Sequence, residues 1–90
     1  MNRAEVLEIV ESAREKGETP NLRGAVLAGT SLKDADLRGV NLVEADLRNA
    51  NLWEANLQGA DLTNADLTNV NLVEADLRGV NLEGTILEGH

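Results

Sequence analysis

The sequence predicts an all-β solenoid, a stack of square coils covered at one end by an α-helix. Three observations carry this expectation. Leu recurs at every fifth position from 22 to 87 without a miss. Aromatic residues make up 1% of the chain, all of it Trp53, so the core has to be assembled from small aliphatic side chains. Residues 1–19 lack the five-residue period and carry a helical pattern instead.

The period comes first because it decides the fold. Leu22, Leu27, Leu32, Leu37, Leu42, Leu47, Leu52, Leu57, Leu62, Leu67, Leu72, Leu77, Leu82 and Leu87 form the series. A strand repeats every two residues, and a helix would carry successive members about 140° apart around its axis. A spacing of five therefore requires a bend of the chain in every unit. Two residues before Leu stand eight Ala and three Val. Both apolar positions face inward, large beside small. One residue before Leu stand six Asn and five Asp, with Val26, Ser31 and Ile86 as exceptions. These point outward and can hydrogen-bond the nearby backbone. Two residues after Leu stand seven of the eight glycines and three Asn, residues suited to positive φ at the second central position of a type II turn. Glu44, Glu54 and Glu74 share that register, which predicts a different turn at those corners. Four bends close a square of twenty residues. Fourteen units make about three and a half coils, roughly 17 Å tall at strand spacing.

The run ADLRNANLWEANLQGADLTNADL, residues 45–67, resembles the pentapeptide-repeat family with its pattern A(D/N)LXX. The likeness extends over residues 20–89. It implies a right-handed quadrilateral parallel β-helix with the central Leu and the preceding Ala inside. The chain departs from the family's usual pattern in never placing Phe at the central position.

The chain thus divides into a capping helix with linker, 1–19, and a solenoid, 20–90. Asn2 is an expected N-cap with Glu5 three residues on, and Gly17 is the expected stop. Val6, Leu7, Ile9, Val10 and Ala13 fall on one arc, and the opposite arc is acidic. An exposed solenoid end presents apolar rings and unpaired edges, and this helix is suited to cover it. The acidic arc argues against a membrane-surface role.

Sixteen acidic residues against eight Lys and Arg leave a net charge of −8. Direct binding to nucleic acid or to an anionic membrane is disfavoured, and a cationic protein surface is the natural counterpart. Without Cys there is no disulfide or thiolate chemistry. With no signal-like or membrane-spanning segment in view, a soluble, cytoplasmic protein is expected. The single His, His90, has no second His to join it. No set of nucleophile, base and orienting group can be assembled, so neither an enzyme, a cofactor nor a metal site is expected.

Residues twenty apart stack in columns. Asp34, Glu54 and Glu74 form one, beside Lys33, Trp53 and Val73; Arg38, Gln58 and Arg78 form another. A straight carboxylate column does not converge as a Ca²⁺ site must. Trp53 and Val73 are candidate binding anchors on an otherwise aromatic-free surface. Ile86 is expected to face outward near the C-terminal coil. The resemblance implies dimers built through such coils, so a weak homodimer is one expectation for partners.

Three functions compete. The first is a non-enzymatic interaction or structural module with a protein partner. The second is an acidic mimic of DNA that binds a DNA-binding enzyme such as the type II topoisomerase gyrase, as the resemblance implies for some members. Eleven acids and five bases in residues 20–90 leave −6 over the stack. That is about one charge per 3 Å, against one per about 1.7 Å in duplex DNA. The third is an idealised or engineered scaffold, suggested by VNLVEADLR at both 40–48 and 70–78, which duplication explains equally well.

Overall fold

A computed structural model describes residues 1–89 of the chain; His90 lies outside the described residues. Helix α1, Arg3–Glu15, opens on a capping box. The Glu5 amide donates to Asn2 Oδ1 at 2.9 Å, and the Asn2 amide donates to Glu5 Oε1 at 3.3 Å. These bonds satisfy amides that a helix start leaves open. The helix ends in a Schellman turn, with the Glu18 amide on the Ala13 carbonyl at 2.9 Å and the Gly17 amide on the Arg14 carbonyl at 3.1 Å. Gly17 supplies the φ of 69° that this turn needs.

From residue 21 onward the backbone pairs with itself at an offset of twenty. Parallel bridges run from Asn21↔Asn41 through Asn51↔Asn71 to Asp66↔Ile86, always at the position before Leu. Successive coils are therefore 21–40, 41–60 and 61–80, and 81–89 begins another.

The backbone amides of one repeat unit account for the sequence preferences. The Leu22 amide donates to the Asn41 carbonyl of the next coil at 2.8 Å, and the Gly24 amide donates to Val43 at 2.8 Å. The Ala25 amide closes the turn onto the Leu22 carbonyl at 3.0 Å, and the Asn41 amide reaches back to Pro20 at 2.9 Å. Only the amide after Leu is left, and the outward Asn or Asp takes it, as Arg23 N donates to Asn21 Oδ1 at 3.1 Å. All eleven Asn and Asp at this position accept that bond. In a unit with a coil on either side and an Asn or Asp before its Leu, such as 41–45, all five amides are taken.

The corners correct one expectation. Glu44, Glu54 and Glu74 do not use a different turn; their φ values are 62°, 58° and 60°, the same left-handed region as the Gly corners, and Asp34 shares it at 60°. The reason is the ladder. At Asp34, Glu44 and Glu54 the corner amide points at the next coil, as when Glu54 N donates to the Val73 carbonyl at 3.0 Å, and Glu74 keeps the same conformation. That bond, with the closed turn, outweighs the roughly 1–2 kcal/mol that a side chain costs in this region.

Leu22 through Leu67 are all buried, interleaved with Ala35, Val40, Ala45, Ala50, Ala55, Ala60, Ala65 and Val70. No polar residue is buried among them. The inner placement of the remaining four leucines is less complete: Leu72, Leu77 and Leu82 are half-buried and Leu87 is 44% exposed. Leu42 to Leu67 have repeat units above and below and Leu22 to Leu37 have α1 on their outer side, whereas the described residues place no further coil over these four. Val6 and Val10 of α1 join the same core, with Leu7 and Ile9 packed against it. Ala13, expected with them, is only half-buried and lies outside that cluster. Polar ties hold the helix to the first coil: Arg14 Nη2 reaches the Asp36 and Arg38 carbonyls at 3.2 and 3.0 Å. Among the described residues no helix is long and apolar enough to cross a membrane.

Candidate functional site

The square coil creates four outer faces. The first carries residues 20–24, 40–44, 60–64 and 80–84; the second, third and fourth follow at steps of five. On three of these faces an Arg pairs with a carboxylate of the same face. On the first, Arg23 Nη2 meets Glu44 Oε1 at 2.7 Å. On the second, Arg48 forks onto both Asp46 oxygens at 2.8 and 2.6 Å. On the fourth, Arg38 grips Asp36 at 2.8 and 2.7 Å, and Arg78 repeats the fork on Asp76. The Arg and Asp stand two residues apart on either side of an inward Leu, so both side chains leave the same face as neighbours.

These pairs explain the acidity of the aspartates. The hydrogen bond from Arg38 is the main cause that lowers Asp36 from 3.8 to about 2. Asp46 and Asp76 are lowered in the same direction by Arg48 and Arg78. Asp61 is lowered chiefly by the Thr63 hydroxyl, with the Thr63 amide adding to it. All are held as carboxylates, and none is poised to accept a proton near neutrality.

The third face is different. Its central column is Lys33, Trp53 and Val73, one residue per coil. The Trp53 amide is fixed on Asn51 Oδ1 and the Val73 amide on Asn71 Oδ1, both at 3.0 Å. Lys33 Nζ stands 4.5 Å from the centre of the Trp53 ring, a cation–π geometry. Trp53 is consequently half-buried rather than freely exposed, whereas Val73 is 57% exposed. The corner column beside them is Asp34, Glu54 and Glu74, all exposed, and none forms an ion pair among the described residues. Ile86, the remaining candidate, is 45% exposed but sits on the second face, away from this group. The sequence reading did not single out Val26, which is 64% exposed in the same column as Ile86. Its signal was present: Val26 and Ile86 are two of the three departures from Asn or Asp at their position. Among the described residues no group of three or more Asp, Glu or His is placed to hold a metal ion.

The family model described as "Pentapeptide repeats (8 copies)" matches residues 21–53 and 54–89. The chain belongs to the pentapeptide-repeat family. Among solved structures it is similar to the pentapeptide repeat protein Rfr23 from the cyanobacterium Cyanothece 51142. The identity is 39%, the match covers 73% of this chain and 52% of that one, and the TM-score is 0.65. It is also similar to HetL of Nostoc sp. strain PCC 7120, a pentapeptide repeat protein involved in regulating heterocyst differentiation. There the identity is 36%, over 76% of this chain and 36% of the other, with a TM-score of 0.40. A third is a thylakoid-lumen pentapeptide repeat protein of Arabidopsis thaliana, 31% identical over 72% of this chain and 52% of that one, with a TM-score of 0.35. The chain thus spans about half the length of Rfr23 or less of these proteins. No curated protein matches it. Membership in the pentapeptide-repeat family implies a right-handed β-helical solenoid, in agreement with the twenty-residue register of the bridges.

Proposed function

We propose that this pentapeptide-repeat chain is a non-enzymatic binding module that offers flat, rigid faces to a protein partner. In this reading α1 is a lid on the first of about three and a half coils. The observation that carries the proposal is the commitment of the outward polar groups. Every Asn and Asp before a Leu is bonded to the backbone two residues on. Such groups hold a surface in shape and do not converge on a reacting atom, as a catalytic constellation must. The test is cross-linking of the purified protein in an extract of its source, followed by reconstitution with the recovered protein. A saturable complex of fixed stoichiometry is expected. Turnover of any substrate by the chain alone, or the absence of any reconstitutable partner, overturns the reading.

A mimic of DNA is the second reading. It is favoured by Glu74, Glu83 and Glu88, which form no ion pair among the described residues of the acidic last third. Inhibition of gyrase supercoiling by the purified chain would select it over the first.

A further inference from the structure

The third face combines three parallel columns of different chemistry. On one edge Asn51 and Asn71 have committed Oδ1 to the backbone, and their Nδ2 groups donate to no group of the described chain. In the middle lie Trp53, half-buried with Lys33 Nζ 4.5 Å from its ring centre, and Val73, 57% exposed, together a short apolar strip. On the other edge stand the carboxylates of Asp34, Glu54 and Glu74, each one coil from the next, about 4.8 Å in strand spacing. The other faces lack this combination: Glu83 and Glu88 are unpaired there, but Arg23, Arg38, Arg48 and Arg78 pair with carboxylates of those faces, and none of those faces carries a Trp.

Each column selects a feature of what would lie on it. Amide donors suit the carbonyls of an extended backbone. The apolar strip suits an aliphatic or aromatic side chain. The unpaired carboxylates suit Lys or Arg, and like charges stacked on adjacent coils repel until a cation lies between them. Nucleic acid and anionic lipid are repelled by the same row.

We propose that the third face docks an extended basic segment of a partner protein. One apolar side chain of that segment rests against Trp53 and Val73, and its Lys or Arg side chains meet Asp34, Glu54 and Glu74. The proposal rests on the binding-module reading and adds the surface and the chemistry of the partner.

Trp53 is the only aromatic residue of the chain, so its emission reports on this face alone. The probe is an eight-residue peptide of alternating Lys and Leu, which carries no aromatic group. Titration of the intact protein is expected to change Trp53 emission saturably. Combined Asp34→Asn, Glu54→Asn and Glu74→Asn should weaken binding about tenfold or more, as should raising the salt from about 0.05 to 0.5 M. Asn already occupies the same corner at Asn49, Asn64 and Asn69, so this variant keeps the backbone it needs. A charge-matched control, Glu8→Gln with Glu11→Gln and Glu15→Gln on α1, should stay within about twofold of the parent. Equal weakening by the control, or binding seen by anisotropy with no change at Trp53, overturns the docking surface; so does the absence of binding. Recovery of the native partner by the Asn variant as fully as by the parent removes this face while leaving the binding module intact.

Discussion

Asn51 Oδ1 accepts the Trp53 amide at 3.0 Å. It does so across the inward Leu52 that separates them. Neither the coil-to-coil ladder nor the turn uses that amide, and Asn51 is half-buried. Asn51→Ala is therefore expected to cost about 1–2 kcal/mol in urea unfolding. Asn51→Asp should cost far less, because Asp46 and Asp61 accept the same bond in their units. Equal losses for the two variants would show that the amide has another acceptor.

Leu52 is fully buried, with a coil on either side. Leu52→Ala should cost about 2–5 kcal/mol, the range for truncating a buried aliphatic side chain. Gln58→Ala, on the outer surface of the fourth face, should cost about 0.5 kcal/mol or less. The comparison is a pair of chemical denaturation curves, and similar midpoints would contradict the inward placement.

Glu54 holds a φ of 58° and stands between Asp34 and Glu74 in one column. Glu54→Asn removes a like charge and replaces a residue unsuited to the left-handed region by one enriched there. A gain of about 0.5–1 kcal/mol is expected, seen as a higher thermal midpoint. A loss would mean that the Glu54 carboxylate has a stabilising contact.

Removal of residues 1–17 takes Val6 and Val10 out of the core and strips Leu22, Leu27 and their neighbours of cover. Aggregation or unfolding is expected. A soluble truncated chain with an unchanged melting temperature would end the view of α1 as a lid.

The aspartates set an acid limit. Asp36 is lowered from 3.8 to about 2 mainly by the Arg38 hydrogen bond. A depressed folded value means stability that is fully present above 3.8 and lost as the pH falls through about 2. Asp46, Asp61 and Asp76 act in the same direction. The Asp36 and Arg38 side chains are about half exposed, so each contribution is screened. Melting temperatures between pH 4 and 2 should fall in the parent and fall less in Asp36→Asn; parallel curves would detach Asp36 from the acid limit.

The inward column was legible because leucine at a fixed spacing is a direct statement about burial. Leu22 and Leu52 occupy the same position of the period and both are buried, although Leu22 is covered by α1 and Leu52 by coils on both sides. The Asn and Asp preference was legible as local bonding, since a short oxygen-bearing side chain beside a bend has few other uses. The corners were not. Residue type suggested a different turn at Glu44, Glu54 and Glu74, because local preference is all that a single residue displays. At Glu44 and Glu54 the coil-to-coil bond that overrides it belongs to a neighbour nineteen residues away. Column arithmetic brought Lys33, Trp53 and Val73 together but did not state the tilt of the indole. Lys33 covers it, and Val73 ends as the more exposed of the two anchors. Arg14 on the first coil was likewise unforeseen, because its acceptors are backbone carbonyls that no residue letter announces.

The twenty-residue register makes position on the surface a matter of counting. The string VNLVEADLR occurs at 40–48 and again thirty residues later at 70–78. Thirty is one and a half coils, so the two copies emerge on opposite sides of the rod. Identical letters then meet different neighbours. Glu44 lies beside Arg23 and is neutralised at 2.7 Å, while Glu74 lies beside the Trp53–Glu54 coil and forms no ion pair among the described residues. Insertion or loss of a single five-residue unit would turn everything after it by a quarter revolution and leave the leucine interior continuous. Such a molecule can re-address its whole exterior in one genetic step, exchanging which residues are neighbours without designing a new core.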